Sequence, residues 1–314
     1  MTTASAPKGQ LVTDDIHAIA ALGTEGRNPR TLDLDTLDTT TLLERMNDED
    51  ATVAGAVRAA LPQIADAVDR IAAARRRGGR LVYLGAGTSG RLGLLDAVEC
   101  PPTFGTDPGE VVGLMAGGRD AFVVAVEGAE DDPDLGAADV AGLGVGADDV
   151  VVGLAASGRT PYVLGGLAEA RARGAATVAV ACNPGSRIGA AADVAIEVAT
   201  GPEVLTGSTR LKAGTAQKLV CNMLSTASMV RTGKAYGNLM VDVRPTNAKL
   251  VDRAQRIVAE ATGADRAAAA DALAAAGEHA KVAIVMLLAD RDATGAQALL
   301  DAAGGDVRAA LATA

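Results

Sequence analysis

The sequence predicts an α/β fold: a three-layer αβα sandwich around a mostly parallel sheet, followed by a small C-terminal helical domain. Three observations predict it. Short, nearly unbroken apolar runs recur at 80–84, 111–115, 149–154, 176–181 and 193–198, as expected of strands buried on both faces. Small-residue turns and helix-length segments separate them, and these supply right-handed crossovers. The 314 residues are 49 % apolar but only 2 % aromatic, so the core must be Ala, Val and Leu.

Along the chain, residues 1–45 read as an arm and lead-in, of which the first 20 are small and polar enough to be mobile. The αβα domain is expected over 46–247 and the helical domain over 248–314. An amphipathic helical stretch runs from Ala51 to Arg77, interrupted or bent at Pro62 and ended by Gly78-Gly79. The five strand runs follow. A long helix is expected at 211–232, stopped by Gly233, and another from Ala248 to Gly263. Alanine-rich helices broken near Gly295 and Gly304-Gly305 close the chain, with "KVAIVMLLAD" as the buried helix of that domain.

A net charge of −10 argues against a broad basic surface for nucleic acid or anionic membrane, so an anionic ligand must be captured locally. Cys100, Cys182 and Cys221 lack metal-ligand spacing and an odd count gives no disulfide framework; they read as reduced, buried thiols. His17 reads as a surface residue and His279 as helix packing. No metal or cofactor is called for. The N-terminus lacks the pattern of a signal peptide and no apolar run reaches the ~18 residues a membrane span needs, so a soluble cytoplasmic protein is expected.

Two turns carry the candidate chemistry. Residues 85–90, GAGTSG, follow the first strand and match the dinucleotide fingerprint. That fingerprint also needs an acidic residue at the end of the next strand, and "LMAGG" offers none. A second turn, "LAASGRT" at 154–160, repeats the plan of small residue, hydroxyl, glycine and arginine. Exposed backbone amides, hydroxyls and a helix N-terminus together hold a phosphate without a Walker lysine. Gly87, Thr88 and Ser89 in the first turn, and Ser157, Gly158, Arg159 and Thr160 in the second, are therefore candidate contacts to a phosphomonoester on a small metabolite. A third cluster, "GPEVLTGSTRLKAGT", places Ser208 and Thr209 to cap the long helix, with Arg210 and Lys212 in its first turn. Cations there oppose the helix dipole, so an anion is expected to compensate them.

Among the carboxylates, Glu99 is expected at a helix C-terminus ahead of Cys100 and the helix-stopping Pro101-Pro102. Glu127 and Glu130 are expected on one helical face at i,i+3 spacing. A carboxylate at a helix C-terminus has its pKa raised, which suits proton transfer near neutrality. Paired-carboxylate acid–base chemistry is thus the mechanism these residues best support.

The stretches "LGAGTSGRLGLLDAVECPPTFG", "AVEGAEDD", "GLAASGRTPYV", "CNPGS", "GPEVLTGSTRLKAGTAQKLV" and "GNLMVDVRPTNAKL" closely resemble the N-acetylmuramic acid 6-phosphate etherase family of sugar-isomerase-type proteins. The likeness runs from "TEGRNP" at 24–29 to the helical tail. It implies the sugar-isomerase fold, a small-molecule phosphosugar partner, a homodimer, and cleavage of a D-lactyl ether to N-acetylglucosamine 6-phosphate and D-lactate in cell-wall sugar recycling. On the family motifs, "DAVECPPT" supplies Glu99 as the acid that protonates departing lactate and later activates water. "VEGAED" supplies Glu130 as its partner or base. Val98 departs from the small or polar residue expected there and removes no titratable group. Regulatory proteins of the glucokinase-regulator type and aldose–ketose isomerases are the alternatives on the same scaffold.

Overall fold

The computed structural model describes residues 22–124, 126–243 and 248–314. The expected arm at 1–20, with His17, lies outside them. The described residues fall into two compact units built from interleaved segments. One comprises residues up to Ala67, Val82–Leu94 and Gly113–Cys221; the other comprises Val68–Leu81, Leu95–Val112 and Asn222–Ala314.

Three helices precede the sheet: α1 (Thr39–Asp50), α2 (Val53–Ala59) and α3 (Leu61–Arg76). Asp38 caps α1 by accepting from the Thr40 and Thr41 amides. The expected interruption at Pro62 is a break at Ala60, with the proline in the first turn of α3, where its missing N–H costs nothing. Then come β1 (Leu81–Gly85), α4 (Gly87–Phe104), β2 (Val111–Met115), α5 (Pro133–Gly142), β3 (Val150–Leu154), α6 (Pro161–Ala172), β4 (Ala176–Ala181), α7 (Arg187–Ala191), β5 (Val194–Glu197) and α8 (Lys212–Arg231). Every expected strand is present within a residue or two. The five-stranded sheet has the order β2-β1-β3-β4-β5; β3 and β4, and β4 and β5, pair in parallel, with Val152 opposite Val178 and Val180 opposite Ile196.

Alternation along the strands builds the layers. Leu84 of β1 points to α6, where a Cβ on Gly166 would lie 2.2 Å from its Cδ2. Its neighbour Tyr83 points to α4, where Gly93 makes room for its Cβ, and its hydroxyl donates to the Cys221 carbonyl of α8 at 3.2 Å. Helices therefore cover both faces of the sheet, as a sandwich of the sugar-isomerase type requires.

On one of those faces, α5 and α6 meet backbone to backbone. A Cβ added at Gly136 would come 1.9 Å from the Tyr162 carbonyl oxygen, and one at Gly165 would come 1.9 Å from that of Pro133. Neither contact can be relieved by a rotamer change, because both obstacles are main chain. Gly165→Ala is expected to cost about 3 kcal/mol, measured as a lowered urea midpoint. A change below ~0.5 kcal/mol would show that the helices separate freely.

The second unit holds α9 (Ala248–Thr262), α10 (Arg266–Ala275), α11 (Ala280–Ala289), α12 (Ala293–Ala302) and α13 (Val307–Ala312). Their core joins Ile257, Val258, Leu273, Ile284, Val285 and Leu300. The "KVAIVMLLAD" helix is buried along Val282–Val285 but leaves Leu287 and Leu288 partly open. His279 departs from expectation: it is exposed at the N-cap position of α11 instead of packing within a helix. No single helix among the described residues is long and apolar enough to cross a membrane.

Candidate functional site

In a sheet of this strand order, ligands bind outside the carboxyl ends of the strands, where the connections from β1 and β3 run to opposite faces. Both glycine-rich turns lie there. The turn after β3 is shaped by Gly158, whose φ is +73° and whose added Cβ would lie 2.3 Å from Ser186 Cβ. Ser157 Oγ accepts from the Arg159 amide at 3.3 Å. Thr160 is the N-cap of α6 yet makes no side-chain cap bond. By contrast, Asp132 and Ser186 cap the neighbouring α5 and α7. The Val163 and Leu164 amides both donate to the Thr160 carbonyl, at 3.1 Å, and the α6 N-terminus sets a positive dipole end beside the turn.

The α5–α6 contact brings the segment before α5 to this turn. An open cavity of about 360 Å³ is lined by Glu130, Asp131, Ser157, Arg159, Thr160, Pro161 and Arg187. Two guanidinium groups and three backbone-turn residues suit an oxyanion, and two carboxylates stand beside them. The structure corrects the reading of Glu127 and Glu130. Gly128 adopts a left-handed φ of +77°, and Glu130 lies in a 3-10 turn, Ala129–Asp131, ahead of α5. The two glutamates therefore share no helical face, and Glu130 sits before a helix N-terminus instead of at a C-terminus.

The first turn uses its glycines for close approach. A Cβ on Gly90 would lie 2.6 Å from the Gly85 oxygen, and Gly87 has a φ of +53°. Gly87 and Thr88 open α4 at the surface, whereas Ser89 is buried and its hydroxyl donates to Gln217 Oε1 of α8 at 2.8 Å. The hydroxyl of Ser89 ties two helices together.

The anion expected to offset Lys212 belongs to the chain itself. Helix α8 begins at Lys212, so Ser208, Thr209 and Arg210 precede it. The buried Glu203 carboxylate accepts from the Lys212 and Ala213 amides, both at 2.9 Å. Burial pushes the Glu203 pKa above the usual carboxylate value despite those bonds. The Lys212 ammonium turns to Glu49, 2.8 Å away, in a pair whose side chains are 4 % and 1 % exposed. Arg30 reaches the other Glu49 oxygen at 2.5 Å. Thr24 and Asn183 exchange hydrogen bonds, so the "TEGRNP" segment is fastened beside the "CNPGS" turn.

Glu99 lies in the second unit. It is exposed on α4 and lines a cavity of about 510 Å³ with Asp96, Cys100, Thr103, Asn222 and Asn238 among others. The expected helix stop at Pro101-Pro102 is corrected: α4 continues through both prolines to Phe104. Thr103 Oγ1 donates to the Glu99 carbonyl at 2.8 Å and the Gly105 amide to the Pro101 carbonyl at 3.0 Å, and these close the last turn. Cys100, beside Glu99, is buried; desolvation and then the Asp96 charge push its thiol up to about 12, and burial pushes Cys182 to about 12. Neither is a nucleophile near neutral pH, and all three cysteines are buried thiols outside any disulfide, as expected. Glu130 and Glu99 line different cavities.

Arg187 and Asp131 were not among the sequence candidates. The signal for Arg187 was available: "GSR" at 185–187 after β4 repeats the glycine, hydroxyl and arginine of the turn after β3.

Comparison with known proteins bears on this geometry. Residues 63–171 match the glucokinase regulatory protein N-terminal SIS domain, and residues 137–227 match the SIS domain. N-acetylmuramic acid 6-phosphate etherase of Mycolicibacterium smegmatis is 67 % identical over 93 % of this chain and 98 % of its own. The same-named proteins of Cronobacter sakazakii and Streptomyces avermitilis are 59 % and 58 % identical, over 93 % and 94 % of this chain and 99 % and 95 % of theirs. At that identity and coverage, with the SIS sheet and its glycine-rich strand ends in place, the chain belongs to the N-acetylmuramic acid 6-phosphate etherase family.

Proposed function

We propose that this protein cleaves the D-lactyl ether of N-acetylmuramic acid 6-phosphate, giving N-acetylglucosamine 6-phosphate and D-lactate. The observation that carries the reading is the 67 % identity to an etherase across nearly the whole of both chains. In the proposed reaction the sugar opens to its C1 aldehyde, which acidifies the C2 proton. A glutamate removes that proton, and the C3–O bond breaks as lactate leaves with a proton from a carboxylic acid. Water then adds to C3 of the unsaturated aldehyde and a proton returns to C2, so the sum is ether plus water to alcohol plus hydroxy acid. Glu99 is assigned as the acid that protonates lactate and then activates water, and Glu130 as its partner or base.

The phosphate is assigned to the Ser157-Gly158-Arg159-Thr160 turn and the uncapped start of α6, with Gly87 and Thr88 as further contacts. Ser89 and Lys212 act by holding α8 in place, while Ser208 and Arg210 are assigned as further contacts to the substrate. No cofactor enters the scheme. A cytoplasmic homodimer is part of the same reading.

The test is to incubate the purified chain with the phosphosugar in D2O, follow D-lactate with a coupled dehydrogenase, and examine C2 of the product for deuterium. Lactate release with deuterium at C2 is expected. Saturable thermal stabilisation by the phosphosugar without lactate would overturn the reading in favour of a sensor. Deuterium exchange with sugar isomerisation and no lactate would favour an isomerase.

A further inference from the structure

The cavity of about 510 Å³ around Glu99 has walls that the scheme above leaves unused. Two of them are helix faces. Asp96, Glu99, Cys100 and Thr103 recur at helical spacing along α4, and Asn222, Ser225 and Thr226 do so along α8. The third is the tip of a tight hairpin, where Tyr236 and Leu239 exchange backbone hydrogen bonds at 3.1 and 3.0 Å and Gly237 takes a φ of +60°. Asn238, Leu239 and Met240 of that hairpin line the cavity.

The C-terminal helices hold this third wall. Arg308 of α13 lies over the Tyr236 ring, 5.0 Å from its centroid. The Lys281 amide of α11 donates to the Val241 carbonyl at 3.1 Å, and the Asp242 carboxylate is clasped by Lys234 at 3.2 Å and Lys281 at 2.7 Å. Val241 and Val243 are buried in the core of the same helices. A hairpin tip fastened in this way is a preformed wall, as sites for small ligands usually have.

Charge and polarity select what enters. Asp96 and Glu99 are the only charged side chains lining the cavity among the described residues, and Phe104, Leu239 and Met240 give it an apolar surface. The proposed substrate has three arms besides its hydroxyls: a phosphate on C6, a lactyl carboxylate on C3 and an acetamido group on C2. The first two are anions, which the two carboxylates and the lack of a cation disfavour. The acetamido group is neutral, ends in a methyl group, and sits on the carbon next to the C3–O bond on which Glu99 is assigned to act. Asn222 Nδ2 is committed to Asp96 Oδ1 at 2.7 Å, which leaves Asn222 Oδ1 as the acceptor of that amide. Asn238, exposed on the hairpin tip, brings a second amide. We infer that this cavity is the subsite for the 2-acetamido group, with Asn222 and Asn238 meeting its N–H and C=O, and Phe104, Leu239 and Met240 meeting its methyl. The inference rests on the etherase reading, which sets Glu99 beside C3, and it makes the C-terminal helices a support for substrate selection.

The test needs no turnover: the full chain is titrated calorimetrically with N-acetylglucosamine 6-phosphate and with glucose 6-phosphate, which differ only at C2. The wild type is expected to bind the acetamido sugar about tenfold or more tightly. Asn238→Ala is expected to weaken that sugar by about three- to tenfold, the loss of one hydrogen bond, and to leave glucose 6-phosphate unchanged. Ala235→Leu, which adds bulk to the cavity wall, is expected to weaken the acetamido sugar at least as much, again without affecting glucose 6-phosphate. No preference in the wild type, an unchanged preference in both variants, or equal weakening of the two sugars in both would overturn the inference. Its failure is separable from that of the etherase reading: lactate release without the preference removes the subsite alone, and the preference without lactate release removes the etherase activity alone.

Discussion

Glu99→Gln is expected to lower kcat for lactate release by about 10²–10⁴ while leaving the urea midpoint nearly unchanged. The size follows from the loss of a positioned acid–base group. The amide keeps the shape of the side chain but can neither give a proton to departing lactate nor take one from water. The stability expectation follows from the position, an exposed site on α4 whose side chain makes no hydrogen bond or ion pair among the described residues, where substitutions stay within ~0.5 kcal/mol. In D2O, a residual exchange of the C2 proton without lactate release would place Glu99 on the leaving-group side, leaving Glu130 as the base. Wild-type kcat in Glu99→Gln would remove Glu99 from the chemistry.

Lys212→Met is expected to destabilise the fold by about 3–5 kcal/mol, read from urea denaturation. Removing one partner of a buried pair leaves the other charge poorly compensated, and Glu49, 1 % exposed, would keep only the largely exposed Arg30 guanidinium as its cation. The Glu49→Gln/Lys212→Met double variant should recover much of that loss, since the stranded charge is gone. Burial raises the Glu49 pKa, but hydrogen bonds from Lys212 and Asn28 and the charges of Lys212 and Arg30 outweigh it and leave the net shift downward. A lowered folded pKa means that its stabilisation is complete above the unfolded value near 4.5 and is lost as pH falls through the folded one. The double variant should therefore show a shallower loss of stability below that pH. A raised KM with an unchanged urea midpoint in Lys212→Met would instead place the ammonium on the ligand.

The strands were legible because parallel β-structure buried on both faces leaves one kind of signal, an apolar run bounded by small residues. The turns at 85–90 and 157–160 were legible for a related reason: close packing and left-handed backbone both demand glycine. What escaped depended on partners distant in sequence. Nothing near Lys212 announces Glu49, some 160 residues earlier, so its charge looked available to a ligand. Pro101 and Pro102 were given their usual helix-breaking weight, but Thr103 and Gly105 supply bonds that carry α4 one turn further. At Glu130, a helical spacing was assumed across Gly128, whose positive φ breaks it. Arg187 was hidden by the brevity of its turn, although the motif repeats that of Arg159.

The interleaving of the two units has a consequence for synthesis. The segment Val68–Leu81 leaves the ribosome roughly 140 residues before Asn222, where the main body of its unit begins. At about 5–20 residues per second, that interval is roughly 7–30 s. For most of it the Glu99 segment is also made while its cavity neighbours Asn222, Ser225 and Asn238 are still untranslated. The nascent chain thus holds the segment of its proposed acid in an unfinished unit until the residues after Asn222 have been made.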